Sequence, residues 1–219
     1  MIPLAFINLD RRPDRRESME RQLEEQKVDK IYRYLAKDAR EYRFTGDELG
    51  VFSQADFLKD QRISRAIMCN FLSHYDLWDL MIENKIPKMV ILQDDSIMKS
   101  NFWSYVYAMS SYLPDDAEVV WLGIPEQVSL SNFNRVAGEH WMTYETPYVS
   151  TLSPGVNPCS LAYLITLEGA VNLKERAQTL GVNRALDHWM NDYLKSKKIF
   201  YVSTDVLVTN QPGFGSDIF

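Results

Sequence analysis

The chain has 219 residues, 46% of them apolar and 25% charged, with a formal net charge of −6. That length suits one α/β domain with a proper core and is too short for two. The acidic balance excludes a general nucleic-acid binder, which needs a basic field to neutralise phosphates, so an anionic substrate has to be held locally by a few arginines or a metal. No apolar run reaches transmembrane length. The opening Met-Ile-Pro-Leu-Ala-Phe-Ile-Asn-Leu-Asp lacks a basic leader and a small-residue cleavage site, so it reads as a strand and a cytoplasmic chain is expected. Cys69 and Cys159 are too few for a disulfide framework or a four-cysteine zinc site and are read as buried thiols.

Residues 4–9 are expected as a strand and 11–27 as a helix, with Pro13 tolerated in the first turn and Met19 and Leu23 forming its buried stripe. A strand running into a helix places unpaired amides and the positive end of the dipole at the sheet edge. Arg11, Arg12, Arg15 and Arg16 crowd this turn, either as a solvated face pairing with Glu17, Glu20 and Glu24, or with one or two binding phosphate. Residues 31–35 read as a second strand. Residues 41–62 show no clean period and read as a mobile surface segment, plausible as a lid. Ser64 is expected to cap a helix reaching about residue 84, on which Ile67, Phe71, Tyr75, Trp78 and Ile82 mark a core stripe. His74 falls one position off that stripe, where a hydrogen-bonded structural role is the ordinary expectation.

The apolar run 88–93 reads as a buried strand ending in two adjacent acids, Asp94 and Asp95. In an open α/β sheet, ligands bind beyond the carboxyl ends of the strands, which is where a metal-binding acid pair would sit; the alternative is a turn that caps the next helix. Further on, a helix near 102–112, a strand at 119–122, a polar and aromatic region 123–158 with short strands, a strand at 160–166, helices at 167–178 and 186–196, and a last strand at 199–204 precede an irregular tail, 211–218. Alternating strands and helices make a mostly parallel α/β sheet. No Gly-rich phosphate loop and no Gly-x-Ser-x-Gly elbow occurs, which weighs against dinucleotide binding, P-loop chemistry and an α/β-hydrolase. A paired-acid strand end, an Arg-rich turn and a late Asp-His pair suit a sugar nucleotide, whose departing diphosphate a carboxylate-held hard cation neutralises.

The residues then resemble a family. Phe6-Ile7-Asn8-Leu9 with Arg11 and Arg16, Ala36-Lys37-Asp38, Cys69-Asn70-Phe71-Leu72-Ser73-His74 followed by Trp78, Leu92-Gln93-Asp94-Asp95, Ala162-Tyr163 with Gly169-Ala170, Asp187-His188-Trp189-Met190, and a tail running from Gln211 to Ser216-Asp217-Ile218 follow, in order, the pattern of glycosyltransferase family 25. That family includes lipooligosaccharide and procollagen galactosyltransferases. The resemblance implies a GT-A-like single domain over 1–219 with a mixed, mostly parallel central sheet flanked by helices, a nucleotide-sugar half near 1–122 and an acceptor half near 123–219. It also implies a UDP-sugar donor carrying galactose or glucose, Mn2+ or Mg2+ as cofactor, inversion at the anomeric carbon, and a glycan or hydroxylysine-type hydroxyl as acceptor. Lipopolysaccharide biosynthesis is one setting, with membrane association only through a lipid-linked acceptor.

On this reading Asp95, helped by Asp94, binds the metal; Asn8, Leu9, Arg11, Arg16, Ser73 and His74 belong to the nucleotide site; and Asp38 accepts from uridine or ribose. Asp187 is the candidate catalytic base or, alternatively, a helix cap, with Asp94 the second catalytic candidate. His188, Gln211, Ser216 and Asp217 close over the donor or add a metal contact. Three features depart from the family's pattern: Gln93 stands where Glu is usual, Ala39 replaces a frequent Gly, and 48–65 looks reshaped. Two rival classes stay open. One is a binding protein of the same fold without turnover, hinted at by Gln93. The other is a metal-dependent phosphoryl hydrolase, disfavoured by having only three His.

Overall fold

The structure is a computed structural model that describes residues 1–52, 61–123, 134–136, 141–143, 160–197, 201–203, 207–211, 213, 215 and 217. Among these, one eight-stranded sheet forms the centre: β1 (Leu4–Asn8), β2 (Ile31–Leu35), β3 (Lys88–Gln93), β5 (Val119–Trp121), β6 (Asn134–Val136), β7 (Trp141–Thr143), β8 (Ala162–Thr166) and β9 (Tyr201–Ser203), in the spatial order β2-β1-β3-β8-β5-β9-β7-β6. Strand β1 runs parallel to β2 and β3, and β9 parallel to β5, whereas β8 opposes β3 and β5, and β7 opposes β9 and β6. All but β8 and β7 therefore point one way, and the sheet is mixed but mostly parallel, as the sequence led us to expect. A two-stranded antiparallel ribbon, β4 (Ser96–Met98) with β10 (Val208–Asn210), sits apart.

Helices α1 (Pro13–Glu25), α3 (Gln61–Glu83), α4 (Phe102–Met109), α5 (Leu167–Leu180) and α6 (Leu186–Lys197) flank the sheet. The expected stripe of α3 holds where it matters most: Phe71 and Trp78 are fully buried. Phe71 meets Phe52, Trp78 and Trp189 edge to face at 5.3–5.7 Å, the geometry that aromatic quadrupoles favour. Ser64 does not cap α3, which begins three residues earlier at Gln61 and leaves Ser64 buried. The segment expected as a mobile lid contains a short helix, α2 (Gly46–Val51), held by a capping box between Thr45 and Glu48. Phe52 at its end is core, and residues 53–60 lie outside the described residues. Helix α1 covers the ribbon's edge through its glutamines: Gln22 exchanges bonds with the Ser96 carbonyl and Met98 amide, and Gln26 with the Lys99 carbonyl and Trp103 amide. No described helix is long and apolar enough to cross a membrane.

Candidate active site

Because β1, β2 and β3 are mutually parallel in one sheet, their carboxyl ends share a rim. That rim gathers Asn8 and the Arg11–Arg15 turn from β1, Lys37 and Asp38 from β2, and Gln93, Asp94 and Asp95 from β3. Strand β8 runs the other way, so Ser160, two residues before its start, arrives at the same rim beside Gln93. A cleft of about 220 Å³ opens there, with Arg11, Arg15, Asp38, Asp94, Asp95 and Asp217 on its charged side.

The charges form one network. Arg15 is 4% exposed; its Nη1 donates to Asp94 Oδ1 at 2.9 Å and lies 3.9 Å from Asp95 Oδ2, and its Nη2 donates to the Gly215 carbonyl at 2.6 Å. Asn8, equally buried, donates from Nδ2 to Asp94 Oδ2 at 2.6 Å and is itself fixed by Arg33 at 3.0 Å. Both Asp94 oxygens are thereby engaged. Arg11 bridges Asp38 and Asp217, each at 2.6 Å, and Arg12 donates to the other Asp217 oxygen at 2.6 Å. Burial alone would raise the Asp217 pKa, but the hydrogen bond from Arg11 and the charges of Arg15, Arg11 and Arg12 outweigh it and hold the carboxyl below its usual range. Asp95 differs. Burial, only partly offset by Arg15 and reinforced by Asp94, pushes its pKa up, and its Oδ1 is buried with no hydrogen-bond donor among the described residues.

That orphaned oxygen is the test of whether a hard cation fits. Among the described residues no group of three or more His, Cys, Asp or Glu is arranged to cage a metal. A magnesium-like ion needs no cage, however, because it is commonly held by one or two carboxylates together with substrate phosphates. Asp95 could supply one such ligand through its unpartnered Oδ1. Asp94 and Asp217, expected as further ligands, carry both oxygens on amide or guanidinium donors and act here as counterions to arginine.

The remaining expected residues fall into two sets. Leu9 and Ser73 line the cleft; Ser73 Oγ accepts from the Lys37 amide at 3.0 Å and donates to the Cys69 carbonyl at 2.8 Å, tying α3 to the loop after β2. Gln211 supports the rim from behind, its amide donating to the Asp95 carbonyl at 2.7 Å. Arg16 lies outside the cleft, 3.8 Å from Glu20. His74 is wholly buried beneath the floor, stacked on Tyr163 and within 2.8 Å of its hydroxyl, and burial lowers its pKa to about 3. Asp187 is the second residue of α6; its carboxylate accepts from the adjacent His188 amide at 2.8 Å, and it is not among the residues lining the cleft. Ser216 lies outside the described residues. Of the four arginines that the sequence places in this turn, Arg11 and Arg15 line the cleft; Arg15 stands four residues before Met19 on the buried stripe and so faces inward. Asn70 and Gln93 also line the cleft, and nothing in their spacing singled them out as binding residues.

An α/β chain with an acid at a strand end and arginines at an adjoining helix start belongs to the broad class that can hold anionic ligands at a sheet rim. The model of glycosyltransferase family 25, described as an LPS biosynthesis protein family, matches residues 1–190, and the chain belongs to that family. Human procollagen galactosyltransferase 2 is 26% identical over 236 residues, covering 98% of this chain and 36% of that protein. A glycosyltransferase 25 family member of Drosophila melanogaster is 35% identical over 97 residues, 42% of this chain and 16% of the fly protein. The chain thus spans well under half the length of these relatives. Among solved structures, mouse xyloside xylosyltransferase 1 in its apo form aligns with a TM-score of 0.40 and 14% identity, covering 91% of this chain and 70% of the mouse chain.

Proposed function

We propose that the chain is a metal-dependent, inverting hexosyltransferase that moves galactose or glucose from a UDP-sugar to a hydroxyl of a glycan or of a hydroxylysine-type acceptor. Family membership sets the reaction class, and the relative named for procollagen suggests one kind of acceptor. The observation that carries the reading is the buried, unpartnered Asp95 Oδ1 on the wall of an arginine-lined cleft. A buried carboxylate oxygen left without a donor is costly in a fold and is commonly found where a site needs it. Mn2+ or Mg2+ bound there would neutralise charge on the departing diphosphate. Arg11 and Arg15 face the same space and offer guanidinium donors to phosphate oxygens, which they match in shape. Asn8 and Arg15 keep Asp94 in place, and Asp94 in turn keeps Arg15 oriented.

Thermal shifts with UDP, Mn2+ and both together test this. A ligand at a hundred times its Kd stabilises by about 2.7 kcal/mol, or roughly 5–10 °C for a domain of this size. UDP with Mn2+ should exceed the sum of the two alone, and Asp95→Ala should abolish that excess. An equal UDP shift without metal, or an excess that survives Asp95→Ala, refutes the proposal. Release of UDP in the presence of a hexose donor separates turnover from binding alone.

A further inference from the structure

Resting on the donor reading above, we infer that Gln93 and Asn70 form a neutral, hydroxyl-reading subsite in the cleft floor that selects the hexose of the nucleotide-sugar donor. Gln93 closes β3 immediately before the two acids, yet its side chain takes no part in their charge network. Its Nε2 donates to Ser160 Oγ at 2.8 Å and lies 3.4 Å from both Asn70 Oδ1 and His74 Nε2. With that nitrogen committed, Gln93 Oε1 and Asn70 Nδ2 have no hydrogen-bond partner among the described residues, and both side chains line the cleft. Turning both amides together would keep this network, with Asn70 Nδ2 and the Ser160 hydroxyl donating to Gln93 Oε1; either way one acceptor and one donor of the pair stay open toward the cleft.

One open acceptor next to one open donor is what a sugar hydroxyl satisfies, since it donates and accepts at once. The floor beneath carries no charge, because buried His74 stays neutral near pH 7. Ala36, Ala39 and Ala66 line the same cleft with short side chains that leave room for a ring. The cleft therefore combines charged arginines and aspartates with the neutral amides of Gln93 and Asn70. A nucleotide sugar combines the same two characters, with an anionic diphosphate joined to a neutral polyol.

The test measures dissociation constants, with Mn2+ present, for UDP, UDP-glucose and UDP-galactose on the wild type, Gln93→Met and Asn70→Ala. Gln93→Met keeps the volume and removes the polar groups; Asn70 is only half-buried and tolerates truncation, so it serves alone if Gln93→Met does not fold. The wild type should separate the two hexose nucleotides. Each variant should bind UDP within about twofold of wild type while the ratio between the two hexose nucleotides shrinks by about three- to tenfold, the loss expected for one neutral hydrogen bond. Unchanged discrimination with UDP binding intact overturns this inference and leaves the donor reading standing, as does a wild type that binds both hexose nucleotides equally. A wild type that binds none of the three overturns the donor reading, and this inference with it.

Discussion

Arg15 and Asp95 stand 3.9 Å apart at the cleft wall. Arg15 places Nη1 on Asp94 and Nη2 on the Gly215 carbonyl, while Asp95 keeps an oxygen with no donor among the described residues and a pKa raised chiefly by burial. A raised carboxylate pKa means that the charged form is worse off in the folded state than in the unfolded one, so at neutral pH it weakens the fold. Asp95→Asn should therefore raise the urea midpoint while losing the Mn2+-dependent thermal shift; a lower midpoint would show that the carboxylate is structural. His74 sets a second pH dependence. Its folded pKa of about 3 lies below the ordinary imidazole value of 6.5, so between these values the unfolded chain takes up a proton that the folded chain refuses. Stability is complete above pH 6.5 and falls as acid is added, by about 1.4 kcal/mol per unit at the steepest. Urea midpoints of wild type and His74→Gln at pH 7, 6 and 5 should diverge, with the variant flatter; parallel curves would contradict a neutral buried imidazole.

At the level of elements, the join between β8 and α5 is the most tightly specified. Thr166 caps the helix, its Oγ1 accepting from the Gly169 amide at 3.1 Å, and a side chain at Gly169 would run into the Glu118 backbone carbonyl. The Glu118 side chain in turn binds Asn172, Tyr193 and Lys197, joining β5 to α5 and α6. Gly169→Ala is expected to cost about 1–3 kcal/mol in urea unfolding, as overpacking against an immovable backbone does. Elements with long, regular patterns were legible in the sequence. The apolar runs of β1 and β3 and the four-residue spacing of α3 told of burial directly. The ribbon of β4 and β10 was not, because three-residue strands are too short to show alternation, and α2 escaped because six residues hold fewer than two turns. The direction of β8 was hidden for another reason. Alternating strands and helices suggest parallel neighbours, but β8 runs antiparallel to both β3 and β5. In the site, the acid pair and the arginine turn were readable as chemistry, while the choice of Arg15 over Arg16 needed the helix phase as well.

Over the whole molecule, residues far apart in sequence share one charge balance. Asp217 binds Arg11 and Arg12 and lies 3.2 Å from Arg15, so one carboxylate serves three guanidinium groups. Removing that charge should have two effects at once. Asp217→Asn should lower the unfolding free energy by about 1–3 kcal/mol for the charged hydrogen bonds weakened, seen as a lower thermal midpoint, and should tighten the metal-free affinity for pyrophosphate, because the arginines lose an internal counterion. Calorimetric titration reads the second effect; unaltered or weaker pyrophosphate binding would show that Asp217 does not shield the arginines from an anion.

The pairing of β10 with β4, and of the Gln211 amide with the Asp95 carbonyl, also bears on how the molecule is made. Arg11 meets Asp217 across 206 positions of sequence, whereas β1 finds β2 within a single helical crossover. Contacts that close the longest loops carry the greatest entropic penalty and tend to come late in refolding. The chain can thus acquire its hydrophobic centre while the Asp95 rim is still open to water, and competence to bind follows collapse as a separate, later event.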